Sequence, residues 1–157
     1  MAFGTVKVDS ITSSTQTLTV DNLLDSGDIG STVQAHDADT AKTDVAQTFT
    51  KAQRGTITTL TDAATIQPDF QASNNYTVTL AGNRTLANPS NLTAGQSGSI
   101  FILQDGTGSR TLAFGSYWDF ASGTAPTLTT DASAVDRVDY IVRSTTSIHA
   151  VFTAAYS

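Results

Sequence analysis

The stretch Ser97–Phe114, reading Ser-Gly-Ser-Ile-Phe-Ile-Leu-Gln-Asp-Gly-Thr-Gly-Ser-Arg-Thr-Leu-Ala-Phe, constrains the fold more than any other part of the chain. Two apolar runs, Ile100–Leu103 and Leu112–Phe114, flank a short polar loop that holds Gly106 and Gly108. Glycine supplies positive φ without steric cost, so a loop of this length predicts that the second run folds back beside the first as a hairpin. Alternation puts Ile100 and Ile102 on one face and Phe101 and Leu103 on the other. Apolar side chains on both faces predict a strand covered on both sides, at the centre of a β-sandwich.

The rest of the C-terminal two-thirds reads as strands added to that centre. Signals begin after Gly55, at Thr56–Leu60, Ala64–Gln67, Tyr76–Leu80 and Arg84–Ala87. Tyr76, Val78 and Leu80 alternate with Thr77 and Thr79, the pattern of a strand with one buried face. Ala81-Gly82-Asn83 predicts a hairpin turn between two of these runs. Two closing strands follow, Val138–Val142 and Ile148–Phe152, with Ser144–Thr146 as the turn. Glutamate is absent and lysine occurs only at positions 7, 42 and 51, so two good helix formers are nearly missing while β-branched threonine abounds. About eight short strands with regular turns predict an all-β protein whose C-terminal part is a β-sandwich or jelly-roll.

Ahead of that domain the sequence predicts a strand-forming arm and a polar linker. In residues 1–24, Val6, Val8, Ile11, Leu18, Val20, Leu23 and Leu24 are the apolar groups of the strand-like pieces, with Ser13, Ser14 and Thr15 as a turn. So few apolar side chains build no core of their own, and an isolated hairpin is marginal in water. These residues are therefore the candidate partner-binding set, an attachment arm that gains order on another chain. Residues 25–54 are acidic and polar, with Asp25, Asp28, Asp37, Asp39 and Asp44, and have the composition of a spacer. A short helix over 39–47 is the alternative, since Ala38, Ala41 and Val45 recur at helical spacing. The expected organisation is an arm over 1–24, a linker over 25–54 and a β-domain over 55–157.

Charge and residue usage exclude several functions. The net charge is −6 and the five arginines are scattered, so no basic stripe exists to bind nucleic acid. Cysteine is absent, which excludes disulfides and thiolate metal sites. No apolar run approaches the roughly 20 residues of a spanning helix, and Met1-Ala2-Phe3-Gly4 lacks the features of a signal peptide. Synthesis in a cytoplasm without membrane insertion is the expectation.

Candidate chemistry is sparse. His36 and His149 stand alone, whereas a metal site needs several converging ligands. Gly106-Thr-Gly-Ser-Arg110 lacks the Lys-Ser/Thr ending of a phosphate loop and fits a turn better. Asp105, Asp131, Asp136 and Asp139 would have to converge to act as an acid pair or a calcium site, and aspartates more often cap turns. No catalytic residue, metal or cofactor is expected, and the chain does not read as an enzyme. The aromatic loop Tyr117, Trp118 and Phe120 has two readings: a lid closing one end of the sandwich, or a recognition surface that stacks on sugar rings or a partner protein.

The run from Gly30 to Gly55, Gly-Ser-Thr-Val-Gln-Ala-His-Asp-Ala-Asp-Thr-Ala-Lys-Thr-Asp-Val-Ala-Gln-Thr-Phe-Thr-Lys-Ala-Gln-Arg-Gly, resembles a segment of tailed-bacteriophage structural proteins. The opening Met-Ala-Phe-Gly-Thr-Val-Lys-Val-Asp is similar to the start of phage fibre and capsid-decorating proteins. Asp105-Gly-Thr-Gly-Ser-Arg-Thr-Leu, followed by Trp118 and by Gly123-Thr-Ala-Pro-Thr-Leu, resembles a β-domain that ends many phage tail and appendage proteins. The resemblance implies a homotrimeric virion component without defined catalytic residues. The sequence holds no long shaft of the kind usual in tail fibres, so the expectation is a capsid decoration of cement or head-fibre type. Its arm would then bind the major capsid protein or another virion protein. The alternative is a short tail-fibre or receptor-binding protein that recognises host surface glycan.

Overall fold

The computed structural model describes Ser10–Thr12, Thr17–Thr19, Thr48 and residues 51–156. The chain divides into two compact units, Met1–Thr50 and Lys51–Ser157. In the first unit β1 (Ser10–Thr12) pairs antiparallel with β2 (Thr17–Thr19), and Ile11 lies opposite Leu18. The other arm residues, Val6, Val8, Val20, Leu23 and Leu24, and the segment 39–47 lie outside the described residues.

The second unit is all-β. Its strands are β3 (Ile57–Thr59), β4 (Thr65–Ile66), β5 (Asn75–Leu80), β6 (Arg84–Leu86), β7 (Ser97–Gln104), β8 (Leu112–Phe114), β9 (Trp118–Phe120), β10 (Val135–Ser144) and β11 (Ser147–Tyr156). A six-stranded sheet has the order β3-β5-β7-β10-β11-β9, and a three-stranded sheet has the order β4-β6-β8. From β3 to β8 the chain alternates strictly between the two sheets. It climbs as three successive two-strand rungs, each laid parallel on the one before. The β10–β11 hairpin then adds antiparallel to β7 and closes that end of the stack.

This connectivity corrects the expected central hairpin. β7 pairs with β5 and β10, while β8 pairs with β6 in the other sheet. The loop between them crosses the sandwich instead of folding back. Its own hydrogen bonds explain why. Asp105 Oδ1 accepts from the backbone N–H groups of Thr107 and Gly108, both at 3.0 Å, and Asp105 Oδ2 accepts from Arg110 Nε and Nη2. Ser109 donates to the Thr130 carbonyl at 2.8 Å, which ties the loop to the chain leading into β10. Gly108 (φ +73°) passes so close that a Cβ would stand 2.5 Å from the Thr130 oxygen. Glycine is needed there, but for a close crossing and not for a hairpin turn. Ala81-Gly82-Asn83 is likewise a crossover from β5 to β6. The β10–β11 turn is a hairpin as expected, with Ser144 opposite Ser147.

One core lies between the sheets. Ile66 and Leu86 from the small sheet meet Tyr76, Val78, Leu80, Ile100, Ile102, Val138, Val142 and Ile148 from the large one. Two polar side chains enter this layer and are fully paired, as burial requires. Gln104 donates to the carbonyls of Arg110 and Thr129 and accepts from the Arg110 N–H. Asp136 accepts from the backbone and hydroxyl of Thr129 and from the Ala155 N–H. Together they pin the loop before β10 and the end of β11 to the sheet.

The second expectation for β7 also changes. Ile100 and Ile102 are buried, but Phe101 and Leu103 are only half-buried. The three-stranded sheet covers one side of the six-stranded sheet and no described residue forms a layer over the other.

Candidate functional site

The aromatic loop forms β9 and the turn leading into it. Trp118 is 6% exposed and contacts Phe70, Phe114 and Tyr140 edge-on, with ring centroids 6.1–6.3 Å apart. Its indole Nε1 donates to the Ala87 carbonyl at 3.1 Å. Tyr117 and Phe120 are half-buried and pack against the same core. An indole buried in this way offers no face to a sugar ring, so the loop has the geometry of a lid. Phe70, which stacks on Tyr140 at 4.5 Å and completes the cluster, carries no periodic signal because it sits in the loop between β4 and β5.

The aspartates do not converge. Asp136 points into the core, Asp139 lies on the opposite face of the same strand, and Asp105 is held by Arg110. No group of three or more His, Asp or Glu side chains gathers as a metal site among the described residues. His36 lies outside the described residues, and His149 is exposed on β11 between Asp119 of β9 and Ile141 of β10.

The surface that does stand out is the outer face of the six-stranded sheet. The four exposed large hydrophobics among the described residues, Ile57, Ile141, Val151 and Tyr156, all occupy outward positions of this sheet. Ile57, Ile141 and Val151 are 53%, 50% and 65% exposed, well beyond what a covered sheet face allows. Phe101 and Leu103 belong to the same face. Several polar groups on it are paired with one another. Arg137 bridges to Asp139 at 2.8 Å and lies 5.1 Å above the Tyr156 ring, while Ser99 donates to Asp139 at 2.6 Å. Between β9, β11 and β10 the face dips into a shallow groove of about 510 Å³ lined by Asp119, Asp139, Ile141, His149 and Val151. Ser147 donates to Asp119 at 2.6 Å at the edge of this groove.

Titration follows from the remaining ion pairs and the buried phenols. The hydrogen bonds from Arg84 hold the Asp62 carboxyl below the usual carboxylate range, and those from Arg110 do the same for Asp105. Burial pushes the Tyr140 and Tyr76 phenols up, and Tyr140 donates to the Asn74 carbonyl at 2.8 Å. A lowered carboxylate stabilises the fold above its ordinary value and loses that contribution as pH falls. A raised phenol stabilises below its ordinary value and loses it as pH rises. Melting temperature is therefore expected to be flat near neutrality, to fall below about pH 4 and to fall again above about pH 10. A melting curve still rising at pH 11 would show that Tyr140 and Tyr76 do not contribute in this way.

A family model described as "Putative phage tail fibre C-terminal domain" matches residues 64–146. The match runs from the residue before β4 to the β10–β11 turn and so includes the crossovers, the lid and most of both sheets. No curated protein and no solved structure matches the chain.

Proposed function

The chain belongs to the phage tail fibre C-terminal domain family and is a phage structural protein of the virion, and we propose that it is a fibre-type component whose second unit is the outward domain. The observation that carries the reading is the family match over β4–β10, which joins the β-domain to fibre ends. Its role is structural and not enzymatic, with residues 1–24 as the attachment arm and 25–54 as the spacer. Its expected partners are other copies of the chain, a virion protein at the arm, and host surface glycan at the outward domain.

Placement on a tail appendage, and not on the capsid lattice, is the reading that the family favours. Gold-labelled antibody against residues 51–157 is expected to decorate tail appendages in electron micrographs of intact particles. Label spread over the capsid would overturn this placement and favour a cement or head-fibre role. Purified protein added to cells before phage should lower adsorption by occupying surface glycan. Unchanged adsorption would remove the glycan from the list of partners.

A further inference from the structure

We propose that the Asp105–Gly106 junction is a covalent modification site of this chain, at which isoaspartate forms unless Arg110 restrains the Asp105 carboxylate. The inference concerns the β7–β8 crossover and holds whichever part of the particle carries the protein.

The sequence singles out this junction. All 14 acidic residues are aspartate, Asp105 alone is followed by glycine, and no asparagine is. Glycine has no Cβ to keep its amide nitrogen away from the preceding carboxyl carbon, so this is the junction where the two can react most readily. In that reaction the Gly106 nitrogen attacks Asp105 Cγ. A nitrogen–carbon bond forms, the carboxyl C–OH bond breaks, and the hydroxyl leaves with the amide proton as water. The product is a five-membered succinimide. Water then adds at the Asp105 main-chain carbonyl carbon and the bond from that carbon to nitrogen opens. The chain now continues through Cγ, as isoaspartate, and one water has left and one has returned.

The structure leaves this junction open to water but restrains its carboxyl. Gly106 is exposed, and nothing lies within 4 Å of where a Cβ would stand on it. Asp105 Oδ1 accepts from the Thr107 and Gly108 N–H groups, and Oδ2 accepts from Arg110 Nε at 3.1 Å and Nη2 at 2.8 Å. Turning Cγ onto the Gly106 nitrogen breaks these bonds. They also favour the ionised form, Arg110 most of all, and hold Asp105 below the usual carboxylate range. An ionised carboxylate has no hydroxyl to lose. Thr107 and Gly108 donate from the backbone of the turn, as in many aspartate turns. Arg110 is the side chain among these donors, and so the part of the restraint that a substitution removes.

Modification would untie the crossover. The Asp105 main-chain carbonyl accepts from the Ser133 N–H at 3.0 Å and the Gly108 N–H at 3.2 Å. Isoaspartate lengthens the backbone at this point by one methylene and displaces that carbonyl, so the link to the chain before β10 is lost. The modified chain is expected to melt below the original.

The test is to hold the full purified chain for several weeks at about pH 5, just above the ordinary carboxylate range, and then map its peptides by mass spectrometry. Isoaspartate has the mass of aspartate but a different elution and different backbone fragments, and the succinimide is lighter by one water. The unchanged folded chain should keep aspartate at 105, and the same chain unfolded in urea should isomerise there. Arg110→Ala, folded by circular dichroism, should isomerise about tenfold faster than the unchanged chain, because its carboxyl can now reach the attacking geometry. Adding Gly106→Ala to Arg110→Ala should bring the rate back to within about threefold of the original. Arg110→Lys keeps a charge without the paired donors and should fall between the two; it carries the test if Arg110→Ala does not fold. Folded Arg110 variants that isomerise no faster than the unchanged chain would overturn the proposal. So would an unchanged folded chain that isomerises as fast as it does in urea. A rate in Arg110→Ala that Gly106→Ala does not lower would overturn the route through the Gly106 nitrogen.

Discussion

Truncating Trp118 to alanine is expected to cost the second unit about 3–5 kcal/mol, the range for large aromatic side chains removed from cores. The indole is nearly fully enclosed and meets three aromatic rings, one each from the β4–β5 loop, β8 and β10. Its removal opens a void beneath the lid and leaves the Ala87 carbonyl without its indole donor. For a unit of this size the loss corresponds to a fall in melting temperature of about 12 °C or more. Trp118→Phe keeps a ring in place and loses the hydrogen bond, so it should cost about 1–2 kcal/mol. Thermal melting of both variants is the measurement. A Trp118→Ala protein that melts with the original would show that the lid does not hold this end of the sandwich.

Replacing Gly98 by alanine should do as much damage with a single methyl group. A Cβ at Gly98 would lie 1.7 Å from the Asn74 carbonyl oxygen and 2.9 Å from the Tyr140 hydroxyl. The Asn74 oxygen belongs to the backbone and accepts both the Tyr140 hydroxyl and the Ser99 N–H, so it cannot move alone. Either β7 separates from the turn before β5, or the Tyr140 hydrogen bond breaks inside the aromatic cluster. The expected loss is about 4 kcal/mol or more, at the severe end for point changes. Gly106→Ala is the control, because nothing lies within 4 Å of a Cβ there. It should stay within about 0.5 kcal/mol of the original. Equal stability of the Gly98 and Gly106 variants would mean that β7 does not approach the Asn74 turn as described.

The residue-by-residue alternation was legible because it is a local property. Val138, Tyr140 and Val142 face inward from β10, and Ile148 and Ala150 from β11, as their spacing requires. The same spacing implies that Ile141 and Val151 face outward, yet their exposure depends on whether a second layer covers that side. Trp118 shows the same limit. The sequence marks a lone tryptophan between aromatic neighbours, but its burial is decided by Phe70, Phe114 and Tyr140, which converge from distant elements.

By itself the sequence determined the all-β class, the positions of most strands, the β10–β11 hairpin and the inward faces of β5, β10 and β11. These follow from the two-residue period of a strand and from the scarcity of helix-forming residues. Only the tertiary structure decided which strands are neighbours. Glycine in a short loop permits a sharp change of direction, and it serves a hairpin or a crossover equally well. Whether the chain leaving β7 returned beside it or crossed to the other sheet depended on non-local hydrogen bonds. Ser109 pairs with Thr130, Gln104 with Thr129, and Asp136 with Ala155. Residues so far apart along the chain leave no periodic mark, because their pairing is a property of the folded sandwich.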